Sequence, residues 1–189
     1  MLIWESNYQM PSGLKKSIKE RIEEDYSDRA RFYSSFQSGD KFQDLLVPYY
    51  SKVVKDMMSD LGMYKRSKYD FSLWVQMYNT NTDSHPLHAH FTSNEIISFT
   101  HIIDATKQSC FYFIDDDNNK IYHTHQESGD IFAFPPWRLH GVDPVKEEGV
   151  DRLIVAGNIM LRSYNRPEDK VTAYSQKVGP GQCIWRYHD

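Results

Sequence analysis

Two hydrophobic periods divide the chain. Leu14, Ile18, Ile22 and Tyr26 recur every fourth residue behind Pro11-Ser12, with Lys, Glu and Arg on the other faces. That spacing predicts an amphipathic surface helix whose register runs on through Ala30 and Tyr33. After Ser38-Gly39-Asp40, the stripe Tyr50, Val53, Val54, Met57, Met58 and Leu61 predicts a second helix, begun by Pro48 and ended by Gly62. A Met and aromatic stripe at helical spacing is core packing, so it carries no cofactor role. Residues 1–68 are therefore expected to be mainly helical.

From Tyr69 the period changes to two. Phe71, Leu73, Val75 and Met77 alternate with Ser72, Trp74, Gln76 and Tyr78, as in a half-buried strand, before the polar loop 79–84. Further short strands are predicted near 96–103, 110–114, 120–124, 130–134 and 153–158. Turn signals separate them at Asp115-Asp116-Asp117-Asn118-Asn119 and Ser128-Gly129-Asp130. Several short strands with no helices between them imply a sandwich or barrel, and a jelly roll with the helices packed outside is the most economical arrangement. The expected fold class is thus mainly β with N-terminal helices (α+β). The expected organisation is a single domain, 1–189, with a helical part at 1–68, a jelly-roll core at 69–160 and an extension at 161–189. In that extension Arg162 to Lys177 is polar, Gly179-Pro180-Gly181 is a turn, and Cys183 to Tyr187 can pair as an edge strand.

Histidine placement changes the picture from fold to chemistry. Seven of the eight histidines lie between His85 and His140, under a third of the chain. Alternate strand residues share a face, so His88 and His90 can offer two imidazoles to one ion at the start of the strand that follows. A pair binds weakly, and His140 is the best third group: it follows a Gly-Asp turn, the apolar run from Ile131 to Phe134 and the Pro135-Pro136 break. Imidazole sets of this kind suit open first-row metal centres that keep positions for water, substrate or oxygen.

Composition mostly excludes. The length of 189 residues and 40% hydrophobic content suit one domain with a real core. A net charge of −4, with both signs mixed along the chain, offers no nucleic-acid footprint. No apolar run reaches membrane-spanning length and no signal-peptide zones are visible, so no membrane partner and a cytoplasmic location are expected. Cys110 and Cys183 have no metal-ligand or redox spacing, which fits a reducing compartment without a bridge between them. A homodimer stays open.

Three blocks carry a family resemblance over about residues 74–158: His88-Ala89-His90; Gly129-Asp130-Ile131-Phe132-Ala133-Phe134-Pro135 leading to His140-Gly141-Val142-Asp143-Pro144; and Arg152-Leu153-Ile154-Val155-Ala156-Gly157-Asn158. With them the chain resembles the Fe(II)- and 2-oxoglutarate-dependent oxygenases, in particular small bacterial and phage members, whose fold is the double-stranded β-helix. The resemblance implies His88 and His140 as iron ligands and Arg152 as the anchor of the distal carboxylate of 2-oxoglutarate. It also implies O₂ as oxidant, and hydroxylation of an unidentified prime substrate with release of succinate and CO₂. A lone arginine opening an apolar strand suits a bidentate carboxylate grip that lysine would not reproduce; the bland alternative is an ordinary ion pair. The family's usual carboxylate two residues after the first histidine is His90 here, so either three imidazoles bind the metal or a carboxylate enters from elsewhere.

Glu95 is that carboxylate candidate, and it brings in a second resemblance. His88, His90, Glu95, Gly129, Pro135 and His140 also look like the two cupin motifs, although Trp137 stands where a cupin has glycine. That alternative implies a cupin-type metalloenzyme or metal-binding protein without 2-oxoglutarate dependence. A third possibility is a binding module with incidental histidines. Among the other histidines, His85 reads as a surface residue or a donor behind the ligands. His123 and His125 read as solvated strand residues, and His101 as a satisfied core or cavity-lining residue. Trp74, Tyr78, Tyr112, Phe134 and Trp137 are candidates to line a dry pocket.

Overall fold

Alternation in the long strands sorts side chains onto two buried faces. The computed structural model describes residues 2–27, 30–38, 41–63, 69–82, 84–90, 94–161, 176–177 and 183–186. In chain order the elements are β1 (Trp4–Asn7), α1 (Ser12–Asp25), β2 (Tyr33–Ser34), α2 (Gln43–Asp60), β3 (Tyr69–Tyr78), β4 (His85–His88) and β5 (Glu95–Asp104). They continue as β6 (Phe111–Ile114), β7 (Lys120–Tyr122), β8 (Asp130–Phe134), β9 (His140–Val142), β10 (Arg152–Leu161), β11 (Gln176–Lys177) and β12 (Cys183–Arg186). The Gly179-Pro180-Gly181 turn and most of the polar run after Arg162 lie outside the described residues. Among the described residues, no helix is long and apolar enough to cross a membrane.

Two antiparallel sheets face each other. The large one has the order β1-β8-β5-β10-β3-β12-β11, with β2 also pairing β3, and the small one is β4-β9-β6-β7. From β3 to β10 the chain visits large, small, large, small, small, large, small and large sheets in turn. That path is the jelly roll expected of an α+β, mainly β chain. It encloses a space between the sheets while both helices stay outside.

Strand β3 is buried on both faces, whereas its alternation predicts one face in solvent. Phe71, Leu73, Val75 and Met77 pack with Ile18 and Ile22 of α1 and with Tyr50, Val53, Val54 and Met57 of α2. The opposite row, Ser72, Trp74, Gln76 and Tyr78, turns toward the small sheet and is equally buried. Strands β5 and β10 repeat the division, with Ile97, Phe99, Ile103, Leu153, Val155 and Ile159 on the helix side. Each such apolar side chain contributes roughly 1.5–3 kcal/mol on full burial. The helix layer is also tied by charge: Lys15 and Lys19 of α1 reach Asp104 at the end of β5, at 2.9 and 2.5 Å. Burial works to raise the Asp104 carboxyl, but the two ammonium groups hold it below its ordinary range.

Several expected boundaries move. Helix α1 ends at Asp25 instead of running through Ala30 and Tyr33. The Tyr26 hydroxyl donates to the Arg31 carbonyl and the Tyr33 hydroxyl to the Asp25 carboxylate, turning the chain back so that Tyr33 pairs with Met77 as strand. Helix α2 begins at Gln43, with Pro48 inside it. Its first turn is held by Arg21 on Asp44, 2.5 Å, which supports a start earlier than the proline signals. Its end is as expected: Gly62, at φ +68°, donates to Ser59 and Met63 donates to Met58, the paired bonds of a glycine-terminated helix. Trp4–Asn7, in the part expected to be helical, is a strand paired with Asp130–Ala133 of β8. Cys110 is a buried free thiol.

One glycine is fixed by contact. A Cβ on Gly157, in the middle of β10, would meet the Phe99 ring at 2.5 Å and the Ser72 carbonyl at 2.7 Å. Gly157→Ala is expected to lower the unfolding free energy by about 1–3 kcal/mol, read as a lower urea midpoint at unchanged slope. Gly13→Ala, in open space on α1, should leave that midpoint unchanged or slightly higher.

Candidate metal centre

Strand pairing brings the triad together. His88 closes β4 and sits directly across from His140, the first residue of β9, in the small sheet. The sequence reading put the His88/His90 pair at the start of the 96–103 strand; the pair instead belongs to a separate strand and its exit. His90 lies just past β4, where its backbone N–H donates to the Pro136 carbonyl at 2.7 Å. The Pro135-Pro136 turn that stops β8 therefore also pins His90. The Arg138 N–H bonds the Pro135 carbonyl at 2.9 Å, closing that turn and launching β9.

The ligand atoms of His88, His90 and His140 all lie within 4.8 Å of one another. Ring centroids are 4.3 Å apart for His88 and His140, 5.2 Å for His90 and His140, and 5.3 Å for His88 and His90. Two of the rings are oriented by the backbone: Nδ1 of His88 is 2.8 Å from the Pro86 carbonyl, and Nδ1 of His140 is 2.8 Å from the Arg138 carbonyl. A carbonyl only accepts, so both Nδ1 atoms carry the proton and both Nε2 lone pairs are free for an ion. Nε2 of His90 is buried with no hydrogen-bond partner. Three free imidazole nitrogens at this separation fit a single first-row metal ion.

The surroundings keep the rings neutral. Burial, reinforced by His88, pushes His140 down to about 3 and His90 down to about 4; Asn158 and the Glu95 charge oppose the shift at His90. Burial lowers His88 as well. Phe111 stacks on His140 at 5.5 Å, Phe134 meets it edge-on at 4.8 Å, and Trp74 stacks on His90 at 5.8 Å. Among the described residues the metal-capable cluster holds no carboxylate, and Glu95 falls outside it.

Arg152 opens β10 opposite Tyr78 of β3, 1% exposed, with its guanidinium 5.6 Å from the centre of the Tyr78 ring. Both Nη1 and Nη2 are buried without a hydrogen-bond partner. Among the described residues these atoms make no ion pair. Burial lowers the pKa of the guanidinium, with Tyr78 opposing, but arginine stays protonated at neutral pH. A buried cation without a counter-ion costs several kcal/mol. Two parallel unpartnered donors are what a carboxylate would satisfy.

A cavity of about 530 Å³ lies beside the triad between the sheets. Ile154, Ala156 and Asn158 line it from the face of β10 that also carries Arg152. Sequence reasoning missed Gln76, Ser98, Thr100 and Asn158 as lining residues; the available signal was polar residues alternating within strands whose other face is apolar. It also missed Arg31, Phe32 and Phe36, which reach the cavity from the segment around β2.

The remaining candidates separate cleanly. His85 is half-buried and takes the place of a donor behind the ligands: its ring stacks on His88 at 4.4 Å and its Nδ1 is 3.0 Å from the Tyr78 hydroxyl, which donates to Gln76. His101 is a satisfied core histidine, held by the Tyr50 hydroxyl at 2.6 Å and the Tyr8 carbonyl at 2.8 Å. His123 and His125 follow β7 in a loop, not on a strand, and His123 is half-buried. Trp74 and Phe134 line the cavity and Tyr78 flanks Arg152. Tyr112 instead covers Gly141 and meets the Tyr122 ring at a tilt, and Trp137 is 62% exposed.

No protein-family model and no curated protein matches the sequence. Solved structures do match in shape. A prolyl-4-hydroxylase from Pseudomonas putida is 13% identical, with 84% of this chain and 92% of that one covered at a TM-score of 0.56. A Trichoplax adhaerens prolyl hydroxylase, solved with a hypoxia inducible factor oxygen degradation domain peptide, is 12% identical, with 83% and 82% covered at 0.57. SnoK, a non-heme alpha ketoglutarate dependent carbocyclase from nogalamycin biosynthesis, is 9% identical, with 92% and 86% covered at 0.61. At these identities the likeness is one of fold: the chain has the double-stranded β-helix of the 2-oxoglutarate and Fe(II) oxygenases, with three histidines at its centre that can bind a metal.

Proposed function

We propose that the protein is an Fe(II)- and 2-oxoglutarate-dependent oxygenase that hydroxylates a prime substrate with release of succinate and CO₂. His88, His90 and His140 hold the iron, and Arg152 anchors the distal carboxylate of the co-substrate. The observation that carries this is the buried Arg152 guanidinium with both terminal nitrogens unpartnered, on the strand face that lines the triad's cavity. A metal centre alone would not call for it. When bound, iron, 2-oxoglutarate and O₂ supply the oxidising power, with decarboxylation of the co-substrate driving transfer of one oxygen atom to a C–H bond.

The chain's own residues bind, orient and exclude. Pro86 and Arg138 carbonyls fix the tautomers of His88 and His140, and the aromatic rings around His140 keep water from its flank. Arg152, with both terminal nitrogens unpartnered, would hold the far carboxylate of the co-substrate through paired charge-assisted hydrogen bonds. Tyr78, over the guanidinium and hydrogen-bonded to His85, couples the anchor to the ligand cluster. Glu95, the fourth ligand that the cupin alternative implies, lies outside the cluster.

Purified protein given Fe(II), 2-oxoglutarate and O₂ should release succinate and CO₂ in an iron-dependent manner. Bound iron with no decarboxylation, even with substrates supplied, would return the cupin alternative. His140→Ala should weaken Fe(II) or Co(II) binding by about 100-fold or more, measured anaerobically by calorimetry.

Arg152→Met should weaken 2-oxoglutarate binding by about 100-fold, the loss of a charge-assisted pair, while leaving metal affinity unchanged. The same variant should raise the stability of the unliganded protein by about 1–4 kcal/mol, because it removes an uncompensated buried charge. A fall in stability would mean that Arg152 has a structural partner.

Metal affinity should change by less than about threefold between pH 7.5 and 6. Buried histidines with lowered pKa values take up protons only in more acidic solution, so protons compete with the metal later than at ordinary imidazoles. A tenfold loss per pH unit through 6.5 would contradict that neutral triad.

A further inference from the structure

Two of the three imidazoles owe their orientation to a carbonyl two residues earlier in the chain, that of Pro86 for His88 and that of Arg138 for His140. Among the described residues no backbone carbonyl takes that place at His90, whose Nε2 has no hydrogen-bond partner. We infer that the Asn158 side chain supplies the missing carbonyl and is the positioning residue that holds His90 in place for the metal. This inference rests on the ligand set of the oxygenase reading and deepens it.

Strand register puts Asn158 beside the ring. Trp74 of β3 pairs with Ala156 of β10, and Asn158 lies two residues further along β10 on the same inner face. His90 stacks on the Trp74 ring at 5.8 Å, which brings the imidazole over that part of the sheet. His90, Trp74, Ala156 and Asn158 all line the one cavity. The carboxamide itself is tethered. Ser98, directly across from Asn158 on β5, donates its hydroxyl to Oδ1 at 2.7 Å, and both residues are buried. That bond identifies the oxygen end of the amide and leaves it a second lone pair.

The sense of the contact agrees with the geometry. Burial lowers the pKa of His90, and a side-chain hydrogen bond with Asn158 works the other way, favouring the protonated ring. A ring N–H donating to the amide oxygen has that effect; an amide N–H donating to the ring would have the opposite one. With one ring nitrogen carrying its proton toward Oδ1, the other keeps its lone pair for an ion. His90 then matches its two partners, each a neutral ring with an oxygen behind the N–H. It differs in that its oxygen belongs to a side chain, which substitution can remove.

The test is anaerobic calorimetry of Co(II) binding, with the visible Co(II) spectrum as a second readout. Wild-type protein must bind the ion and His140→Ala must lose it; failure here overturns the ligand triad, and this inference with it, before any Asn158 variant is made. Asn158→Leu, close in size but without a polar group, should weaken Co(II) binding by about 10–100-fold and shift the visible bands. Asn158→Asp keeps an oxygen for both Ser98 and the His90 N–H and should hold Co(II) at least as tightly as wild type. Ser98→Ala loosens the carboxamide without removing it and should weaken binding by about fivefold, a result that stands even where Asn158→Leu fails to fold. In a His90→Ala background, Asn158→Leu should change Co(II) affinity by less than about twofold, because Asn158 acts only through that ring. A merely structural role would lower the urea midpoint and leave affinity and spectrum alone. Unchanged affinity in folded Asn158→Leu or in Ser98→Ala, or weaker binding in Asn158→Asp, would overturn the inference. So would an undiminished effect of Asn158→Leu without His90, which would make Asn158 a ligand in its own right.

Discussion

The large sheet is covered on both sides, and most of the molecule follows from that constraint. A pleated strand sends alternate residues to opposite faces, so β3, β5 and β10 must each satisfy two environments with one sequence. Their helix-facing positions are aliphatic or aromatic almost without exception. Their inward positions mix Ser72, Gln76, Ser98, Thr100, Asn158 and Arg152 with apolar neighbours. A polar inner face is tolerable because the small sheet stands off far enough to leave a cavity. The helices thus do more than cap the fold: by taking over the stabilising apolar face, they free the other face for chemistry.

What could be read from the residues follows the same division. Long elements with strong periodicity were legible: the stripes of α1 and α2, and the strands β5, β8 and β10, fall close to where their patterns place them. Of the short elements, β6, β7 and β12 lie near the places their residues suggest, but two others were not legible. Trp4–Asn7 and His140–Val142 hold four and three residues, too few to display a period, and they exist because a neighbouring strand offers them an edge. The two-sided burial of β3 was hidden for a different reason. Serine and glutamine at alternate positions suggest solvent, and nothing local distinguishes solvent from a lined cavity. The histidine cluster stood out through density and spacing, but the means of its convergence did not. A cross-strand pair and a carbonyl after Pro135 are long-range contacts that no local pattern contains.

The centre is assembled at some cost to the fold. Ligand nitrogens of three imidazoles lie within 4.8 Å of one another, one of the rings has an orphaned nitrogen, and a buried arginine has terminal donors that go unmet. None of these features stabilises the fold by itself, and the rings are kept in place by ordinary interactions behind them: two carbonyls, one turn and a set of aromatic rings. A buried arginine with both terminal nitrogens unpartnered is a group whose cost a bound anion would offset.

The His88–His140 pair has a mechanical consequence. Strand β4 is the edge of the small sheet, four residues long and interrupted by an irregularity between His85 and His88. An ion shared by His88 and His140 would act as a reversible staple across that rung, closing about fifty residues of chain into a ring and removing much of the freedom of a loosely held edge. Occupancy would then be written into the backbone as slowed amide exchange along β4 and β9, visible even in a protein that never turns over.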